Sequence, residues 1–157
     1  MNLDDIELVA PGVSDLSQNE HEALQRFTLL WSLFEAQKLD ERASVRKISE
    51  KIDLLDVELD WFKEQLDYFK NRYIDEGNSN HHYDNLHLRP NDNPKRVLSV
   101  LKGENSDAKD QLITCLTIVY RFRNNFFHGV KWAYGIKGQL NNFTHAATLL
   151  KNCLVKL

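Results

Sequence analysis

Apolar residues recur along this chain at steps of three and four, the period of helices with one buried face. Leu24, Phe27, Leu30, Trp31 and Phe34 share one face of a first helix that starts near Ser17 or Asn19 and runs to about Leu39. Ser44 can cap a second helix, with Lys47 at the position where a capping box would place Glu or Gln. Ile48, Ile52, Leu55, Leu59, Phe62, Leu66, Phe69 and Tyr73 then alternate steps of four and three. That heptad seam predicts one long helix packed near-parallel or antiparallel to another, and Asp53 to Asp56 is where it would split. Gly77 to Pro94 is polar and loop-like, and Pro94 opens a short helix through Leu101 that ends near Gly103. Ser106 or Asp107 caps a third main helix from about Ala108 to His128, stopped by Gly129. Leu140, Phe143, Ala147, Leu150 and Leu154 mark the last helix. No alternation of period two competes, so the expected class is all-α: a bundle of four main helices plus a short helix. Residues 1–16 form an N-terminal extension and 17–157 a single domain.

Composition fits this reading. The chain has 157 residues, 42% of them hydrophobic and 27% charged, enough to bury one core. It holds no run of about 18 apolar residues, so no membrane span is expected. The acidic stretch Met1 to Leu8 does not read as a secretory leader. Cys115 and Cys153 fall within apolar helical patterns, which predicts buried, reduced thiols and a cytoplasmic protein. The net charge of −3 conceals an asymmetry: residues 1–88 carry 9 basic against 19 acidic side chains, residues 89–157 carry 11 against 4. The basic part can attract a polyanion, or the two parts can attract each other within a monomer or across a dimer.

The chemistry concentrates at the end of the third helix, in Tyr120-Arg121-Phe122-Arg123-Asn124-Asn125-Phe126-Phe127-His128-Gly129. With a rotation of about 100° per residue, Leu112, Ile113, Leu116, Val119, Tyr120 and Phe127 form an apolar arc. Arg121, Asn124 and His128 group opposite it, while Arg123 falls near the middle of the arc. An unpaired guanidinium there costs several kcal/mol, so Arg123 needs a carboxylate, a wet cleft or a subunit interface. Glu35, bordering the apolar face of the first helix, is the candidate carboxylate, and a buried Arg123–Glu35 pair pinning two helices is the plain structural reading.

These residues also carry a resemblance. Arg123-Asn124-x-x-x-His128 is similar to the signature of HEPN domains, an arginine followed by four to six residues and a histidine. The string from Arg121 to Trp132, with Gln139 and Asn142-Phe143 downstream, resembles HEPN proteins of abortive-infection type. The resemblance runs from the first helix to the C-terminus. It implies a four- to five-helix bundle with the motif ending its third main helix, and a metal-independent endoribonuclease without cofactor, plausibly a toxin or phage-defence effector. On that model His128 is the acid/base, Arg123 holds phosphate and Asn124 orients His128. Arg121 is a further candidate to contact RNA, as are Lys131 and Trp132 by charge and stacking, with a core or interface place the other reading of Trp132. Imidazole titrates near neutral pH, and a guanidinium stabilises the charge gathered in a phosphorane-like transition state. Arg121 also satisfies the family spacing, so either arginine can be the essential one. Arg123 and His128 do not share a helix face, and HEPN dimers build composite sites, so a homodimer is implied. An antitoxin or regulatory protein is a further implied partner. Toxins silenced by nucleotide attachment carry a tyrosine two residues after the histidine. Val130 stands there in this chain, and Tyr134 is not equivalent.

Other groups have weaker claims. His81, His82 and His87 with Asp84 match no zinc spacing and read as a solvated loop, so no metal is expected. Arg89, Lys95, Arg96 and Lys102 form a phosphate-tracking surface or an ordinary solvated helix face. His21 and His145 join no catalytic constellation. The alternative to an enzyme is a catalytically silent HEPN-like module that binds RNA or protein, or that only dimerises.

Overall fold

A computed structural model describes residues 4–127 and 138–157. Its α-helices, among the described residues, are α1 (Asp4–Glu7), α2 (Gln18–Lys38), α3 (Val45–Asp53), α4 (Lys63–Tyr73), α5 (His81–Asp84), α6 (Pro94–Leu101), α7 (Ala108–Phe127) and α8 (Leu140–Lys156). Short 3-10 turns lie at Val13–Asp15, Leu59–Trp61 and Pro90–Asp92. One antiparallel pair, β1 (Ile74–Asp75) and β2 (Asn78–Ser79), aligns Ile74 with Ser79 and Asp75 with Asn78. It interrupts the segment expected to be plain loop. Its two-residue turn puts Glu76 and Gly77 at φ 50° and 81°, the left-handed geometry of a tight hairpin. The protein is otherwise helical, as its periodicity requires.

Local chemistry fixes the helix starts. Ser17 Oγ accepts from the Glu20 backbone N–H at 3.2 Å while the Glu20 carboxylate accepts from Ser17 N–H at 2.8 Å, a complete capping box. Ser44 Oγ caps α3 through Lys47 N–H at 3.1 Å, and Asp107 caps α7 through Asp110 N–H at 3.0 Å. Pro94 occupies the first turn of α6.

The long second helix divides at the break anticipated near Asp53 to Asp56: it is two helices. Unbroken from Val45 to Tyr73 it would extend about 44 Å, whereas α7, which both halves pack against, spans about 30 Å. The chain therefore bends after Asp53. Lys109 Nζ of α7 caps the freed Asp53 carbonyl at 2.9 Å, and Leu54 is left 84% exposed. Ile48 and Ile52 before the bend, and Phe62, Leu66, Phe69 and Tyr73 after it, all enter the core. The seam was real as a set of buried positions but not as one rod.

α7 is the central helix. Gln111 through Val119 are nine consecutive buried residues, because α3, α4 and α6 pack against it and aromatic contacts tie it to α2 and α8. α2 and α8 lie side by side in the same direction: Glu20 meets Gly138 near their starts and Phe27 meets Phe143 at 5.1 Å between rings. α7 runs the other way, with Tyr120 opposite Trp31 and Phe126 against Phe143, which itself meets Phe27. Cys115 and Cys153 are free thiols sealed in this core, where burial raises both pKa values. Among the described residues, no helix is long and apolar enough to cross a membrane.

Candidate functional site at the end of the central helix

The last turn of α7 carries Arg121, Arg123, Asn124 and Asn125 on a stem that is buried on all sides. The two arginines exchange the places that the helical projection assigned them. Arg121 is the buried one, 6% exposed, with Nη1 3.7 Å from an Asp92 Oδ2 that is itself buried. Its Nε donates to the Leu86 carbonyl at 3.3 Å and its Nη2 to Asn125 Oδ1 at 3.2 Å. Asn125 Nδ2 donates to the same carbonyl at 3.1 Å, and Asp92 also accepts from Arg89 N–H at 2.8 Å. Arg121 thus anchors the 86–92 segment to the end of α7 rather than presenting a substrate-binding surface. The projection misplaced it by assuming a solvated face. A helix walled in on every side has none, and a segment 29 to 35 residues earlier covers the side where Arg121 points.

Arg123 is half-buried, and its Nη1 donates to Asn124 Oδ1 at 3.0 Å. Asn124 therefore spends its carbonyl on the neighbouring guanidinium. Glu35 is not the carboxylate that meets Arg123. Its Oε2 accepts from the Ala43 backbone N–H at 3.1 Å, closing the corner between α2 and α3. Antiparallel packing explains this: Trp31 is level with Tyr120, so Glu35 lies about 10 Å along α2 from the level of Arg123. His128, Lys131 and Trp132, with Val130 and Tyr134, lie outside the described residues.

The downstream residues Gln139, Asn142 and Phe143 pack at this end of the bundle. Phe143 meets Phe126 edge-on at 5.9 Å, and Asn142 donates to Gln139 Oε1. Buried Asn142 also accepts from Tyr68 Oη at 2.6 Å, and Tyr68 stacks on His145 at 4.0 Å between rings. Burial raises the Tyr68 pKa, and burial lowers that of His145 against a smaller opposing pull from Glu64. His145 therefore borders a polar cluster, though these contacts form no catalytic constellation. No local signal could reveal it, since its partner sits 77 residues earlier on α4. Asp92 and Leu86 were missed for the same reason.

The remaining candidates are simpler. The His81 and His82 rings lie 4.0 Å apart, and burial, Arg72 and His81 together lower the His82 pKa. No group of three or more His, Cys, Asp or Glu side chains that could hold a metal ion occurs among the described residues. Arg89, Lys95 and Lys102 are exposed, while Arg96 reaches Ser49 Oγ at 3.3 Å on α3. No protein-family model matches the chain, and comparison with curated proteins and with solved structures finds no match either.

Proposed function

We propose that the chain is a metal-independent endoribonuclease of HEPN type, with Arg123 holding phosphate and His128 transferring the proton. The observation that carries this reading is the Arg123–Asn124 hydrogen bond, 3.0 Å long, at the half-buried tip of a helix whose stem is locked in the core. A guanidinium oriented in advance loses little freedom on meeting a phosphate, and its planar fork suits two charge-assisted hydrogen bonds. Of the two arginines, Arg121 is buried and committed to Asp92, Leu86 and Asn125, which leaves Arg123 as the better candidate for phosphate. In the reaction the ribose 2′-oxygen bonds to phosphorus as the bond to the 5′-oxygen breaks. His128 takes the 2′-proton and returns one to the departing 5′-oxygen. The products are a 2′,3′-cyclic phosphate and a 5′-hydroxyl, and DNA is not cut.

The wider reading is a cytoplasmic homodimer with composite sites, acting as a toxin or phage-defence effector and held in check by an antitoxin or regulatory protein. Incubation of the purified protein with RNA in EDTA tests the core of it. Cyclic-phosphate ends that vanish in His128→Ala and Arg123→Ala are the expected result; intact RNA sinks the enzyme reading. A catalytically silent RNA- or protein-binding module is the second reading. It is favoured by the capture of the Asn124 carbonyl by Arg123, which takes away one of the groups expected to orient His128. Salt-sensitive RNA binding without cleavage would identify it.

A further inference from the structure

We infer that residues 4–16 are an acidic strap that lies across the Arg123 end of α7 and must swing away before a polyanion can bind. The inference rests on the reading of that end as a phosphate-handling site. Ala10, Val13 and Leu16 form a hydrophobic cluster of their own, apart from the main core, and its partners are Leu24 of α2 and Phe126 of α7. Phe126 is one turn beyond Arg123 and about 60° around the helix from it, so the strap is seated on the motif itself.

The segment is built to hold a shape. The Glu7 carboxylate accepts from Gly12 N–H at 2.8 Å, Ser14 N–H at 3.0 Å and Ser14 Oγ at 2.7 Å, with Gly12 at φ 91°. Ala10 and Val9 N–H groups return to the Ile6 carbonyl at 2.8 and 3.0 Å. It is also only lightly attached: the cluster numbers three residues, while Leu8 and Val9 stand 85% and 81% exposed. A small, separate hydrophobic contact opens far more readily than the main core.

Its charge gives the strap a consequence. Residues 1–16 contain Asp4, Asp5, Glu7 and Asp15 and no lysine or arginine, whereas Arg121 to Lys131 contains no acidic residue. Anchored at Phe126, the strap brings an acidic segment to the end of the helix that carries Arg123. Repulsion from the strap and attraction between strap and motif both oppose an incoming polyanion. Glu20, where the strap meets α2, holds the Gly138 N–H at 2.9 Å and so ties the same end of the bundle to the start of α8.

The experiment uses the full chain and a fluorescent 2′-O-methyl RNA, which lacks the nucleophile and so separates binding from cleavage. Val13→Ser/Leu16→Ser removes the anchor without changing charge. Asp4→Asn/Asp5→Asn/Asp15→Asn keeps the anchor and removes charge. Hydrogen exchange over residues 4–16 reports whether the strap is released. Released and neutral variants are each expected to bind about tenfold more tightly than the parent at low salt, converging with it as salt rises. Faster exchange over 4–16 with unchanged or weaker binding overturns the inference, as does tighter binding in the anchor variant alone with no response to charge removal. Cleavage of ordinary RNA, measured in parallel, judges the functional reading separately. Strap-dependent binding without cleavage would remove the nuclease and keep the strap.

Discussion

Arg121 and Arg123 are two positions apart and about 160° apart around α7, and that rotation gives them opposite roles. Arg121 is a buried cation with every side of its guanidinium committed, so Arg121→Ala leaves buried Asp92 without its cation. Breaking a buried pair in this way costs about 3–5 kcal/mol, and urea denaturation should register it. Arg123→Ala removes a half-buried group, whereas Arg121 pairs with the buried Asp92 carboxylate, and should cost less in stability than Arg121→Ala. If Arg123 holds phosphate, the same change lowers cleavage at least about 100-fold, the scale of losing a transition-state donor. Equal destabilisation by the two substitutions would refute the division of labour. Acid sensitivity is also set at this scale. Burial lowers the pKa of His145 and contributes most to lowering that of His82, so the folded state binds fewer protons there than the unfolded chain does. Their contribution is fully present above the unfolded value of 6.5 and is lost as pH falls through the lower folded values. Glu7 is held below its ordinary 4.5 by hydrogen bonds from Gly12 and Ser14, so its contribution persists to lower pH and fades as pH drops through its folded value. Melting temperature should therefore decline in two steps on acidification, and His145→Phe, which keeps an aromatic ring against Tyr68, should shrink the first.

The division of the second helix into α3 and α4 is the main event among the elements. A heptad pattern records which positions are buried but not whether the chain runs straight between them. With the bend at Asp53, Leu54 points to solvent and Ile52 into the core. Leu54→Lys should change stability by about 0.5 kcal/mol or less, while Ile52→Ala should cost about 2–5 kcal/mol. Comparable losses at both positions would mean that Leu54 is buried as Ile52 is, contrary to the bend. The start of α2 offers a second measurement: Ser17→Ala removes the Oγ half of the capping box, leaves the backbone N–H to the Glu20 carboxylate, and should cost about 1 kcal/mol in chemical denaturation.

For the whole molecule, the proposed composite site makes a demand that no single chain can meet. A symmetric pair of copies would place Arg123 of one beside His128 of the other. Arg123→Ala and His128→Ala proteins, each inactive alone, should regain about a quarter of parental activity when unfolded together and refolded, since half the dimers are mixed and each holds one intact site. No recovery in a mixture shown to contain mixed dimers would exclude sharing between subunits. The strap adds a second layer to the same end of the bundle. Its three apolar anchors are few enough to release, and its charge opposes the ligand that the motif would attract.

Helix positions, caps and most of the core were legible because they depend on neighbours three and four residues apart. Ser17, Ser44, Asp107 and Pro94 mark helix starts by bonds made within one turn, and the bounds of α2, α6 and α8 follow the spacing of their apolar residues. The candidate arginine-to-histidine motif was legible in the same way, as a string at the end of α7. What separates Arg121 from Arg123 was not, because Asp92 and the Leu86 carbonyl arrive from another part of the chain. Glu35 was misassigned for the same reason: only the antiparallel course of α2 and α7 determines which side chains are level. Periodicity determined that these segments are helices and which residues they bury. Tertiary packing decided that α7 has no solvated face along its stem, that one arginine is structural and the other half-exposed, and that an acidic segment rests on the motif. The physical reason is range: helical hydrogen bonds and caps are local, whereas the burial of a charge depends on whatever the rest of the chain lays over it.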